Sequence, residues 1–77
     1  AKHIHCHPDR CVVVEDAVAG VQAGKKGGFA LVVGVARQNN DQDLEKAGAD
    51  VVVNDFHHVD AKTIDVWMEQ KAKKARQ

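Results

Sequence analysis

At 77 residues the chain is at most one small domain, of a size that buries only about 60 % of its unfolded surface and has little stability to spare. Eleven Lys and Arg balance eleven Asp and Glu, so no nucleic acid and no acidic membrane surface is expected as a partner. No apolar stretch approaches the ~20 residues of a membrane span and no signal-peptide pattern is seen, while two cysteines, Cys6 and Cys11, do not make a disulfide framework and set a reducing cytoplasm as the expected compartment.

The sequence opens on Ala1-Lys2-His3 rather than on Met, which reads as a processed product or a piece of a larger protein. Residues 1–10 carry three of the five histidines without a clear period and are expected to be a flexible N-terminal lead. Within it, His7-Pro8-Asp9-Arg10 looks like a turn, because Pro fixes φ and Asp favours local hydrogen bonds. Cys11 to Val14 is an unbroken apolar run, the pattern of a strand buried on both faces. Glu15 and Asp16 stand at its carboxyl end.

A helix is expected from Ala17 or Val18 to Lys26. Asp16 could cap it by accepting from orphan backbone N–H groups, or could point its carboxylate at a metal, but cannot fully do both. Gly20 in the first turn costs stability relative to Ala, which points to a close approach of backbone or ligand. Gly27-Gly28 ends the helix, with Lys25 and Lys26 complementing its dipole.

Phe29 to Val35 reads as a second apolar strand and 36–40 as a polar loop at its carboxyl end. Asp41 to Ala47 is a short helix capped by Asp41 or Asn40 and stopped by Gly48. Asp50 to Val53 is a third strand, followed by the loop Asn54-Asp55-Phe56-His57-His58. A last helix lies within 59–75, running from about Asp60 to Lys74, with Ile64, Trp67, Met68 and Ala75 on one face. The basic run Lys71, Lys73, Lys74 and Arg76 reads as a solvated face of that helix.

Strand–helix alternation over 11–56, closed by the C-terminal helix, makes the fold class α/β. The expected architecture is part of a doubly wound, Rossmann-like parallel sheet of about three strands with flanking helices. In such sheets ligands bind just beyond the carboxyl ends of the strands, where Glu15 and Asp16 stand. So thin a sheet would leave an apolar strand edge open, a place for pairing with another chain.

At this point a family signature is legible. Val-Val-Val-Glu-Asp-Ala-Val-Ala-Gly-Val-Gln-Ala-Gly-Lys-Lys-Gly-Gly-Phe-Ala-Leu-Val-Val-Gly-Val, residues 12–35, resembles the fourth motif and following segment of the haloacid dehalogenase superfamily, most closely its β-phosphoglucomutase-like branch with its phosphatases. Glu15, Asp16, Gly20, Gly34 and Val35 fit in order, and Gly48-Ala49-Asp50-Val51-Val52-Val53-Asn54-Asp55-Phe56 resembles the family's last core strand and loop. The resemblance covers about residues 8–70.

The resemblance implies Mg²⁺-dependent phosphoryl transfer on a phosphorylated sugar or other small phosphate ester, through an Asp nucleophile that forms an aspartyl-phosphate. Asp16 would be a direct Mg²⁺ ligand and Glu15 a second ligand or one acting through water, with the ion held weakly or not at all by the isolated chain, since two carboxylates hold it weakly. Nothing like the family's Asp-x-Asp nucleophile motif precedes Glu15, where the only upstream carboxylate is Asp9 in a turn; the phosphate-holding Ser/Thr and the cap domain are missing too, and Lys2 stands too close to the pair and lacks the family's Lys-Pro context. Covalent catalysis needs its nucleophile, so the chain is expected not to be catalytic alone.

Two other readings stand beside this one. The chain could be a non-catalytic module derived from the same fold, forming a homo-oligomer through the open sheet edge. His3, His5, Cys6, His7 and Cys11 could also bind Zn²⁺ or Cu²⁺, since imidazole and thiolate suit those ions. Their spacing matches no standard zinc pattern, and Cys11, at the head of a buried strand, reads as a small hydrophobe. Gly24, Gly27 and Gly28 lack the order of a phosphate loop. His57-His58 is expected on the surface at the active-site side, and Arg37, after the second strand, is a minor candidate for contacting a phosphate.

Overall fold

Valine-rich runs make the middle of the sheet. The computed structural model describes residues 2–7, 10–37 and 40–75. The elements are β1 (Lys2–His7), β2 (Arg10–Glu15), α1 (Val18–Lys26), β3 (Leu31–Val35), α2 (Asp41–Ala47), β4 (Val51–Val53), a 3₁₀ turn (Phe56–His58) and α3 (Ala61–Ala75). The four strands form one sheet in the order β1-β2-β3-β4. β2, β3 and β4 are parallel, as expected, with Val13 opposite Val32 and Gly34 opposite Val52.

The segment expected to be a flexible lead contributes β1 instead. β1 runs antiparallel to β2, from Lys2 opposite Glu15 to His7 opposite Arg10, so the sheet is mixed and four-stranded rather than parallel and three-stranded. The physical reason lies in β2: its backbone N–H and C=O groups on that edge need partners once its faces are buried. Pairing also sets Cys6 directly opposite Cys11. The two form a disulfide, in place of the free thiol and small-hydrophobe roles expected from the sequence. The sheet's other edge, β4, is three residues long and half-buried.

Alternation along the strands divides the core. Val12, Val14, Leu31, Val33 and Val35 face α3, where Ile64 is buried among them and Trp67 and Met68 pack at the margin. Val13 and Val32 face the other way, against Val21 of α1 and Leu44 of α2. Each such side chain removed from water contributes about 1.5–3 kcal/mol. Gly34 lets α2 approach, because a Cβ there would sit 3.2 Å from the Cβ of Leu44.

The helix ends show how each is held. Gly48 closes α2 at φ 116°, a left-handed conformation that favours glycine. α3 begins with a reciprocal cap: the Thr63 N–H donates to Asp60 Oδ1 at 2.8 Å and the Asp60 N–H donates to Thr63 Oγ1 at 3.0 Å. The Thr63 N–H first, and the Thr63 side chain after it, hold the Asp60 carboxyl below the ordinary carboxylate range. At the far end of α3, Lys71 is not simply solvated. Its Nζ donates to Ala30 O at 2.9 Å and to Asp50 Oδ2 at 3.0 Å, and Asp50 Oδ2 also accepts from the Val32 N–H at 2.8 Å. This clamp ties the helix to the amino ends of β3 and β4. Ala75's side chain, Arg76 and residues 1, 8 and 9 lie outside what is described.

Candidate functional site

The parallel strands all deliver their carboxyl ends to one side of the sheet. β2 ends at Glu15 and continues into Asp16, β3 leads through Ala36 to Arg37, and β4 leads through Asn54 to Asp55 and Phe56. This is where an open α/β sheet places its ligands.

The adjacent carboxylates take different surroundings. Glu15 is buried at 6 % exposure. Its carboxylate lies over the first turn of α1 against Gly20, where a Cβ would overlap Glu15 Cγ, Cδ and Oε2. Oε1 accepts the Asp16 N–H at 3.2 Å. Gly20 is therefore the close approach its position in the helix called for, and what approaches is the Glu15 side chain.

Asp16 does not cap α1. The N-cap is Ala17, in extended backbone, and no side chain makes the cap hydrogen bond. Asp16 Oδ2 instead lies 3.8 Å from Arg37 Nε in an ion pair, with Asp16's side chain 17 % and Arg37's 61 % exposed. Of the two roles open to Asp16, the structure withholds the cap and leaves its carboxylate at the strand-end crevice.

Arg37 is held by its backbone and its ring contact. Its N–H donates to Asn40 Oδ1 at 2.6 Å, which closes the turn after β3, and its Cζ stands 5.8 Å from the centroid of the Phe56 ring, within the range of a cation–π contact. His3 of β1 meets the same ring edge-on at 5.4 Å. His3, Val14, Phe56 and Val59 line a cavity of about 250 Å³. Sequence reasoning named Arg37 singly. Its partnership with Asp16 and Phe56 depends on the parallel order of three strands, which no local pattern reports.

The remaining candidates are placed as follows. The His57 N–H donates to Asp55 Oδ1 at 2.8 Å and its Nδ1 lies 2.7 Å from the same oxygen, in an exposed turn at the carboxyl end of β4. The disulfide takes the sulfurs of Cys6 and Cys11 out of the donor set considered for Zn²⁺ or Cu²⁺, and the side chains of His5, His7 and His58 lie outside the described ones. Among the described residues no three His, Cys, Asp or Glu side chains converge in an arrangement that could hold a metal ion. No described helix is long and apolar enough to cross a membrane. A larger cavity of about 470 Å³, between α3 and β4, lies at the opposite end of the sheet around Asp50, Trp67 and Lys71.

Comparison with known proteins adds the biochemical context. The chain is 43 % identical over 70 residues to trehalose-phosphate phosphatase of Mycobacterium tuberculosis, an alignment that covers 91 % of the chain and 18 % of that protein. Trehalose-phosphate phosphatase of Mycobacterium avium is 41 % identical over 71 residues, with the same coverage of both. An uncharacterized glycosyl hydrolase of Mycobacterium tuberculosis is 44 % identical over 56 residues, 73 % of the chain and 4 % of that protein. No family model matches the chain, and no solved structure does. The similarity supports a phosphatase relationship, along 91 % of a chain that spans 18 % of the length of the phosphatases it matches.

Proposed function

We propose that this chain is the segment of a Mg²⁺-dependent phosphatase core that supplies the carboxylates at the end of a central strand, within the β-phosphoglucomutase-like branch of the haloacid dehalogenase superfamily. The observation that carries the reading is Asp16: it follows the buried run Val12 to Glu15 of β2, is not used as a helix cap, and faces a cation, Arg37, across the strand-end crevice.

Mg²⁺ takes oxygen ligands in octahedral geometry and commonly only one or two carboxylates from the protein, the rest being water and substrate phosphate. The donor types fit: Asp16 places a carboxylate at the end of β2, 3.8 Å from Arg37 Nε, and Glu15 is next to it in the chain, buried and held against α1. When bound, Mg²⁺ neutralises phosphate oxygens and so favours attack on the phosphorus. In this reading Asp16 is the direct ligand and Glu15 is the second ligand or acts through water. The nucleophilic Asp comes from polypeptide outside these 77 residues. Phosphoryl transfer depends on positioning and charge, and this segment contributes only part of both.

The substrate class is a phosphorylated sugar, and the relatives' names make trehalose phosphate the first to test. The experiment measures phosphate release from trehalose 6-phosphate and from hexose phosphates by the complete gene product that contains this segment. Mg²⁺-dependent turnover that falls at least a hundredfold in Asp16→Asn is expected. Full activity in Asp16→Asn would overturn the assignment, and turnover by the 77-residue chain alone would overturn the placing of the nucleophile.

A further inference from the structure

Arg37 is built into the site more firmly than an exposed arginine needs to be. Its backbone is pinned by Asn40 Oδ1 at the carboxyl end of β3, its guanidinium lies over Phe56, and its Nε stands 3.8 Å from Asp16 Oδ2. We propose that Arg37 is a positioning residue that serves as an internal counter-cation for Asp16, competing there with a divalent ion. The inference rests on the reading of Asp16 as a metal ligand and adds a role for Arg37 within that site.

The argument is electrostatic and steric. A divalent ion bound to an Asp16 oxygen sits about 2.1 Å from it. With Arg37 Nε 3.8 Å from Oδ2, ion and guanidinium would then stand close together and repel. The two compete for the carboxylate, and exposure decides which yields. Asp16 is largely covered, whereas Arg37 is mostly in solvent and can turn outward at little cost, keeping its backbone anchor at Asn40. Until then Arg37 holds the carboxylate in place at the strand end. Exposed ion pairs are weak, so the competition is a matter of a few-fold in affinity, and screening by salt reduces it further.

The test is Mn²⁺ binding to the complete gene product that contains this segment, at low ionic strength, with free Mn²⁺ followed by electron paramagnetic resonance, in the parent and in Arg37→Gln, Arg37→Lys and Asp16→Asn. Circular dichroism verifies that each variant is folded. Arg37→Gln is expected to bind Mn²⁺ about two- to fivefold more tightly than the parent, Arg37→Lys to stay near the parent, and Asp16→Asn to bind more weakly than any. If Asp16→Asn weakens binding while Arg37→Gln leaves it unchanged or weaker, the counter-cation role is refuted and the metal reading of Asp16 survives. If Asp16→Asn binds as the parent does, or no variant binds, both are refuted.

Discussion

Replacing Gly20 with Ala separates the two carboxylates of the site by their effects on stability. In an ordinary exposed helix position the change favours folding by about 0.8–1.0 kcal/mol, because Gly loses more backbone freedom than Ala. Here the new methyl would overlap the side chain of Glu15, which must swing away. Glu15 then loses the hydrogen bond from the Asp16 N–H, worth about 1.5 kcal/mol for a charged acceptor at the weaker end of its range. Its two methylenes leave a site of 6 % exposure, at about 0.8 kcal/mol each. Set against the propensity gain, Gly20→Ala is expected to destabilise by about 2 kcal/mol. In a Glu15→Ala background nothing stands in the way, and the same substitution is expected to stabilise by about 0.8–1.0 kcal/mol. The effect of the substitution should therefore change sign across the double-mutant cycle, with a coupling of about 3 kcal/mol, at the upper end of the range seen for residues in contact. Urea unfolding followed by the single tryptophan, Trp67, provides the assay. Gly20→Ala stabilising equally in both backgrounds would refute the placement of Glu15 against α1.

Other expectations follow from the same structure. Asp50→Ala removes the acceptor of the Val32 N–H and the partner of Lys71, and should cost about 2 kcal/mol. Lys71→Met should cost less than about 1 kcal/mol, its pair being part-exposed; equal urea midpoints for parent and Asp50→Ala would contradict the clamp. The Asp60 carboxyl is held below its usual range by the Thr63 N–H, so its contribution to stability is present above the unfolded carboxyl value and is lost as pH falls through the lower folded one. Asp60→Ala should thus flatten the acid limb of a stability–pH profile, and an unchanged limb would argue against the cap. Reduction of Cys6–Cys11 should cost about 2 kcal/mol from loop-closure entropy and speed amide exchange in β1 more than in β3; equal acceleration in both would show that β1 and the parallel core open as one unit.

How much of this was legible in the sequence depended on whether the cause was local. β2, β3 and β4 are unbroken apolar runs between glycines and charges, and the two shorter helices end at glycines, so their types and approximate limits could be read directly. β1 could not. Its alternation of histidines with Ile4 and Cys6 carries no strong strand signal, and it is held by the open edge of β2 and by a disulfide, both of which arise from pairing. Apolar continuity extends β3 back to Phe29 and Ala30, but ladder bonding begins only at Leu31, and Asp50 precedes β4 rather than opening it. Lys71 matched the solvated stripe of α3 by spacing, and only the crossing of that helix over the ends of β3 and β4 brings it to Asp50 and Ala30. At the site, Asp16 was legible by its place after a buried strand. The choice between cap and crevice was not, since it turns on Ala17 taking the N-cap position, and the Arg37 contact joins two loops 21 residues apart in sequence.

The most direct test of the central claim is a Mg²⁺ titration of the complete gene product that contains this segment, followed by amide nuclear magnetic resonance. If Asp16 is the metal ligand of a strand-end site, saturable shifts should concentrate at Glu15, Asp16 and Ala17 and at Arg37 across the crevice, and should vanish in Asp16→Asn. Shifts confined to the exposed acidic turn of α2 or to β1, or identical shifts in Asp16→Asn, would contradict it.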